Sequence, residues 1–363
     1  MQVTIVGLPG SGKTTVFNAL TGAQADTGGF SGGRAAPNMG VVKVPDARLD
    51  RLTELFHPRK TVPADVTYVD VAIPAGAARE GTINPDVLAL VRNADALLHV
   101  ARAFDGGAEG PPDPWRDVEA LDLEFSIADL MVIEKRLEKL RTSGRHGSPA
   151  EREANAQEEA LLARLEPELS AGRPLRAVSL SDEDELRLRG YRFLTQKPVL
   201  VVLSIDEAQL AGAADLEAAG RDRYGRQQAD VAALAGKIEA ELAQLSEDDA
   251  ALFMEDLGIA EPSRGRVIHL TYALLGLFSF FTAGEDECRA WTLRRGANAV
   301  DAAAAIHSDL ARGFIRAEVV TYDDLIACGS MAEARKRGLL RSEGKTYAVR
   351  DGDVIEVLFN VAR

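Results

Sequence analysis

Apolar positions in the first hundred residues come in short runs separated by polar turns. Val3-Thr4-Ile5-Val6 is such a run, and a Gly-rich turn and a helical stretch over 13–20 follow it. Further runs predict strands over 41–44, 66–69 and 97–100, with a loose Gly-rich loop over 28–33. Lys197-Pro198 introduces another β-branched run over 199–203. Short buried strands alternating with helices predict an α/β fold, a largely parallel sheet covered by helices on both faces.

The alternation stops between about 118 and 196. Leu123, Ile127, Leu130, Ile133, Leu137 and Leu140 recur at steps of three and four, the period of one helical stripe. Gly144, Gly147 and Pro149 mark a turn, and Ala154, Leu161, Leu165 and Leu169 mark a second helix, with Pro167 expected to kink or shorten its end. Two helices joined by a short turn make an antiparallel hairpin, either a partner-binding arm or passive packing. The last 85 residues change again. A short strand holds Trp291 and Leu293, a helix is expected over 299–310, and β signals return at Val319-Val320, 347–349 and 354–359. This reads as a small α+β domain. The chain thus divides into 1–117 with 197–278, a helical insertion over 118–196, and a C-terminal domain over 279–363.

With 363 residues and 46% hydrophobic composition, there is enough chain for two or three domains with a sizeable core. The formal charge of −14 argues against a surface coated in base for nonspecific nucleic-acid binding. The acidity is uneven. Residues 282–363 hold 12 basic and 13 acidic side chains, against 30 and 43 elsewhere. A locally basic patch remains available there, and Arg335, Lys336, Arg337, Arg341 and Lys345 are its densest run. That run is either a solvated face or a contact for RNA phosphate. Two cysteines, Cys288 and Cys328, make no disulfide framework and no four-ligand zinc spacing. No apolar window approaches the length of a membrane span, and no leader pattern precedes the first strand, so a cytoplasmic protein without a membrane partner is expected.

Gly7-Leu8-Pro9-Gly10-Ser11-Gly12-Lys13-Thr14 fits G-x-x-x-x-G-K-[ST] at every fixed position, after a predicted strand and before a predicted helix. Glycines let the backbone wrap an anion with successive N–H groups inward, and the helix N-terminus faces it. Lys13 is expected to neutralise the β and γ phosphates of a bound nucleotide, and Thr14 to offer its hydroxyl to Mg²⁺. Gly7, Pro9, Gly10, Ser11, Gly12 and Thr15 complete the expected phosphate contacts. Asp70 closes the run over 66–69, where a Mg²⁺-associated carboxylate sits in such folds.

The base site is informative by what it lacks. Guanine-specific proteins place Asn-Lys-x-Asp after a buried strand, where the Asp accepts two bonds from the guanine edge. Here the stretch is Ser204-Ile205-Asp206-Glu207. Ser204 has no amide fork and Glu207 is one methylene longer than Asp, so strong guanine selectivity is not expected. Ser204, Asp206 and Glu207 are the base-site candidates, with Asp206 and Glu207 as solvated loop charges the plain alternative.

With these residues placed, the chain resembles the Obg-related subfamily known as YchF in bacteria and Obg-like ATPase in eukaryotes. The cradle over 7–14 is similar to the family's first motif. Pro37-Asn38-Met39-Gly40, Val44-Pro45-Asp46 and Arg48-Leu49 resemble the stretch after its switch I, and 126–140 its helical insertion. Phe281-Thr282-Ala283-Gly284, Arg289-Ala290-Trp291-Thr292, 313–319, Glu343-Gly344-Lys345 and Asp351-Gly352-Asp353 resemble its C-terminal TGS domain. The resemblance implies a cytosolic ATP- or GTP-binding protein that uses ATP, in accord with the weak guanine signal, and associates with the large ribosomal subunit.

The departures from that pattern bear on catalysis. Gly10, Ser11 and Thr14 replace the usual residues of the first motif. The family's Asp-x-x-Gly is here Asp70-Val71-Ala72-Ile73, and Pro74 removes the next backbone donor. Arg34 aligns with the switch I threonine and is a candidate internal arginine finger. The family's catalytic histidine lies in the loop corresponding to 104–115, which has none. His99 falls inside a predicted strand and reads as a packing residue, and His307 as structural or partner-facing. Slow hydrolysis is therefore expected, with a nucleotide-occupied scaffold as the rival reading. A P-loop small-molecule kinase is the third reading, and it would leave the TGS-like tail unexplained.

Overall fold

The structure, a computed structural model, describes residues 1–25, 37–71, 84–106, 110–143, 147–225, 228–259 and 261–360. Arg34, the expected loop 28–33, Ile73 and Pro74 lie outside these residues. The chain divides into two compact units, one of 1–40 with 67–267 and one of 41–66 with 268–363.

In chain order the strands up to residue 234 are β1 (Gln2–Val6), β2 (Asn38–Lys43), β3 (Lys60–Val62), β4 (Asp65–Asp70), β5 (Ala96–Arg102), β6 (Val199–Ser204) and β7 (Ala229–Leu234). All but β3 form a six-stranded sheet in the order β2-β4-β1-β5-β6-β7. β1 pairs in parallel with β4 and β5, and β5-β6-β7 continue in parallel. Every residue of β5 and β6 is buried, which is why both read as apolar runs, interrupted in β5 by His99 and ended by Arg102. The helices up to residue 274 are α1 (Lys13–Thr21), α2 (Ala47–Phe56), α3 (Pro85–Arg92), α4 (Pro114–Ser143), α5 (Pro149–Ser170), α6 (Asp182–Leu188), α7 (Ala213–Tyr224), α8 (Gly236–Leu242), α9 (Glu247–Leu257) and α10 (Ser263–Leu274). One apolar cluster packs the sheet against α4 through Val118, Leu121 and Phe125.

The long helices form the expected hairpin, with two corrections. The apolar positions of α4 are not one stripe. Ile133, Leu137 and Leu140 are buried against Leu161, Leu162, Leu165 and Leu169 of α5, while Leu123 and Ile127 are exposed. The steps of three and four drift round the helix, so the buried face changes partner half-way along. Pro167 lies inside α5, which runs on to Ser170. The ring removes one amide donor but does not end the helix, because Leu165 and Leu169 on either side are buried in the hairpin core.

The second unit holds β8 (Leu277–Ala283), β9 (Glu287–Arg294), β10 (Phe314–Thr321), β11 (Arg341–Glu343) and β12 (Asp353–Phe359), with α11 (Ala299–Ile306), α12 (Ser308–Arg312), α13 (Tyr322–Cys328) and α14 (Met331–Lys336). Its sheet runs β11-β10-β12-β8-β9-β3 and mixes parallel and antiparallel pairs. The helix expected over 299–310 is broken at His307, whose extended backbone (φ −164°) lets its Nδ1 accept from the Asp309 amide at 3.1 Å and start α12. Residues 347–349 make no strand. They contribute one isolated bridge, Asn298 to Ala348.

Candidate functional site

The run 7–14 connects the carboxyl end of β1 to the start of α1. Gly7, Gly10 and Gly12 have φ of 154°, 78° and 91°, a region that side-chain-bearing residues rarely enter. Space demands glycine as well. A Cβ on Gly7 would lie 2.3 Å from the Val100 carbonyl oxygen, and one on Gly12 would lie 2.9 Å from Ser204 Oγ. The turn is closed by the Ser11 amide donating to Leu8 O at 3.2 Å. α1 has no side-chain cap and no acidic residue in its first turn. Its leading amides are therefore not taken by a side-chain cap, as an anion site at a helix start requires.

Lys13 Nζ donates to Leu8 O across the loop at 2.9 Å. Burial pushes its pKa down to about 8, against the opposing pull of Asp70. An ammonium so desolvated gains from any anion brought to the loop. Ser11 Oγ, next to the Gly7 Cα, is buried without a hydrogen-bond partner.

Asp70 ends β4 and is 3% exposed. Its Oδ2 accepts from Thr14 Oγ1 at 2.9 Å and from Asn38 Nδ2 at 3.4 Å, while Oδ1 is buried with no partner. A buried carboxylate oxygen left open beside a threonine hydroxyl suits a small hard cation that takes its other ligands from water and phosphate. No cluster of three or more His, Cys, Asp or Glu that could hold a metal occurs among the described residues. The residues present thus fit Mg²⁺ delivered with a nucleotide better than a free-standing metal cage.

Ser204 ends β6, opposite Arg102 of β5, and its hydroxyl abuts Gly12. Asp206 caps the short 3₁₀ helix Glu207–Gly212, accepting from the Gln209 amide at 3.2 Å, and Glu207 is exposed. Thr15 packs beside Gly236 at the start of α8. That β7–α8 junction has no distinctive composition and carries no motif. Arg102 likewise belongs to no motif. It is 7% exposed and donates to the carbonyls of Gly106 at 3.2 Å and Gly110 at 2.9 Å, pinning the loop after β5. His99 is 2% exposed within β5, with Nε2 unpartnered and a pKa pushed down to about 4, chiefly by burial. In the C-terminal basic run, Arg335 pairs with Glu318, Lys336 and Arg337 with Glu333, and Arg341 with Glu343. Four of its five charges are thus already engaged.

A glycine loop closing on a helix start at the end of a central parallel strand is how P-loop nucleoside triphosphatases hold phosphate, and this chain is of that class. Residues 2–135 match a family model described as 50S ribosome-binding GTPase. Residues 277–360 match a model of the C-terminal region of YchF GTPases, described as a protein of unknown function. The chain is 40% identical over 364 residues to the ribosome-binding ATPase YchF of Bacillus subtilis, covering 98% of each. It is 39% identical over 363 residues to the protein of that name from Haemophilus ducreyi, again covering 98% of each. The solved structure of the Schizosaccharomyces pombe YchF GTPase superposes with a TM-score of 0.85 at 28% identity, over 99% of this chain and 97% of that one. The chain belongs to the YchF family. No helix among the described residues is long and apolar enough to cross a membrane.

Proposed function

We propose that this chain binds ATP at least as well as GTP, together with Mg²⁺ at the 7–14 loop, hydrolyses it slowly, and uses its nucleotide state to set its affinity for the large ribosomal subunit. The observation that carries the nucleotide part is the open Asp70 Oδ1 beside the Thr14 hydroxyl, at the mouth of an uncapped helix start. The backbone amides of 7–14, with Gly7, Pro9, Gly10, Ser11, Gly12 and Thr15, would cradle the phosphates. Lys13 would leave Leu8 O for the β and γ oxygens, and Thr14 and Asp70 would hold the metal. When bound, Mg²⁺ would neutralise charge between the β and γ phosphates. Ser204, Asp206 and Glu207 form the proposed base edge, which offers no two-bond fork for guanine.

Slow turnover is supported by what the chain lacks. The loop over 104–115 has no histidine, Ile73 and Pro74 alter the backbone meant to approach the γ phosphate, and Arg34 replaces a switch threonine. Each lost donor costs on the order of tenfold to a thousandfold in rate. The same losses favour the second reading, a nucleotide-occupied scaffold that no longer hydrolyses. The ribosome part is supported by the relatives, which are named ribosome-binding ATPases. In this reading 1–117 with 197–278 is the nucleotide domain, 118–196 an inserted arm and 279–363 a TGS-like domain.

Calorimetric titration with ATP, GTP and their diphosphates, with and without Mg²⁺, tests the binding step. Lys13→Ala should weaken triphosphate binding far more than it lowers thermal stability, and unchanged affinity would remove the loop from consideration. Co-sedimentation with large subunits in ATP, ADP and no nucleotide tests the coupling.

A further inference from the structure

α4 uses two of its faces for the fold. Val118, Leu121 and Phe125 enter the core beside the sheet, and Ile133, Leu137 and Leu140 pack on α5. A third face carries Leu123, Ile127 and Met131 at steps of four, exposed by 54%, 40% and 65%. No other helix among the described residues exposes three large apolar side chains. An apolar row of this length on a soluble helix marks an interaction surface more often than chance.

The row has a sign. Glu124, Glu134 and Glu138 lie on the same face, three or seven residues from members of the row; against them stands one exposed cation, Lys135, at the next step of four, so the face is net negative. Burial holds the Glu124 carboxyl above its ordinary range, so a cation brought to it would be favoured. At the row's N-terminal end, Leu123 forms one wall of a cavity of about 290 Å³ with Trp115, Pro174 and Tyr224. The polar groups there are already paired. Asp122 binds Arg176 at 2.6 Å and accepts from the Tyr224 hydroxyl, and Glu119 binds Arg223 at 3.0 Å. What the cavity still offers is aromatic and aliphatic wall.

We propose that this face of α4 is a docking groove for a basic amphipathic helix of a protein partner. Apolar side chains of the partner at i, i+4 and i+8 would lie on Leu123, Ile127 and Met131, one of them seated in the cavity beside Trp115. Its Lys or Arg side chains would meet Glu124, Glu134 and Glu138. The negative rim excludes RNA and anionic lipid as occupants, because both would set phosphate against carboxylate. A second copy of this chain is disfavoured too, since it would present a face of the same net negative charge. The groove requires nothing of the nucleotide site.

The full-length chain can be titrated, by fluorescence anisotropy, with a labelled Leu/Lys amphipathic helical peptide and with a Leu/Glu peptide of identical apolar face. The Leu/Lys peptide should bind saturably and the Leu/Glu peptide should not. Ile127→Ser with Met131→Ser should weaken binding at least tenfold, about 1.4 kcal/mol. Glu124→Gln, Glu134→Gln and Glu138→Gln together should weaken it at low salt and lose that effect at high salt. Equal binding of both peptides, or wild-type affinity in the serine variant, overturns the proposal. So does a wild-type dimer that the serine changes disperse, which would assign the face to a second copy. Should the serine variant lose helical circular dichroism, the glutamine variant decides, and unchanged low-salt affinity in it is a refutation.

Discussion

His99 offers a measurement whose size follows from its surroundings. It lies in a strand buried at every residue, between β1 and β6, and its Nε2 has no partner. Burial is the main cause of its low pKa. Asp122 pulls the other way, and Arg176 and Lys13 add to the depression. The folded value of about 4 lies below the ordinary 6.5, so between those pH values the unfolded chain takes up a proton that the folded chain refuses. The stability at stake is fully present above about pH 6.5 and falls as pH drops toward 4. From about pH 7.5 to about pH 5 the loss through this one group is about 2 kcal/mol. Urea denaturation of wild type and His99→Phe at both pH values isolates it. The variant should lose about 2 kcal/mol less than wild type over that interval. Equal losses in the two proteins, or His99 ring resonances titrating near 6.5 in the folded chain, would refute the reasoning. Retained turnover in His99→Phe would also separate packing from catalysis, since a catalytic histidine could not be replaced by an apolar ring.

Four further outcomes bear on the proposed nucleotide site. Because Lys13 has a pKa of about 8 without ligand and gains an anion on binding, triphosphate affinity should fall as pH rises above that value. The fall should approach tenfold per unit, and calorimetry across pH should show it absent in Lys13→Arg. Asp70→Asn should reduce the Mg²⁺-dependent part of ATP affinity and leave affinity in chelator alone, and equal loss in both conditions would make Asp70 a structural residue. Ser204→Asn with Glu207→Asp should shift preference toward GTP, and no shift would place base recognition elsewhere. Single-turnover ATP hydrolysis, with and without ribosomes, should be slow in wild type. Fast unassisted turnover untouched by Arg34→Ala would count against slow chemistry, whereas fast turnover abolished by it would make Arg34 the internal finger.

The features legible in the chain are those set by neighbours in sequence. Eight consecutive residues specify the 7–14 loop, because glycines at φ above zero and a lysine at a helix start are local requirements. The all-buried strands β5 and β6 announce themselves as apolar runs for the same reason. Tertiary structure decided whatever depends on distant partners. Thr14 and Asp70 stand 56 residues apart, and only the parallel pairing of β1 with β4 brings their oxygens to 2.9 Å. The three residues of β3 are too short a run to read as a strand, yet they pair with β9, and the stretch 41–66 belongs to the same compact unit as 268–363. On α4 the spacing of leucines and isoleucines dictates a helix, but not which of them is covered. Leu137 is buried because α5 lies against it, and Leu123 remains half exposed because it lines an open cavity beside Pro174 and Tyr224 instead of a packed face. Periodicity is a property of the backbone and can be read residue by residue, whereas burial is a property of pairs of surfaces and exists only once the chain has brought them together.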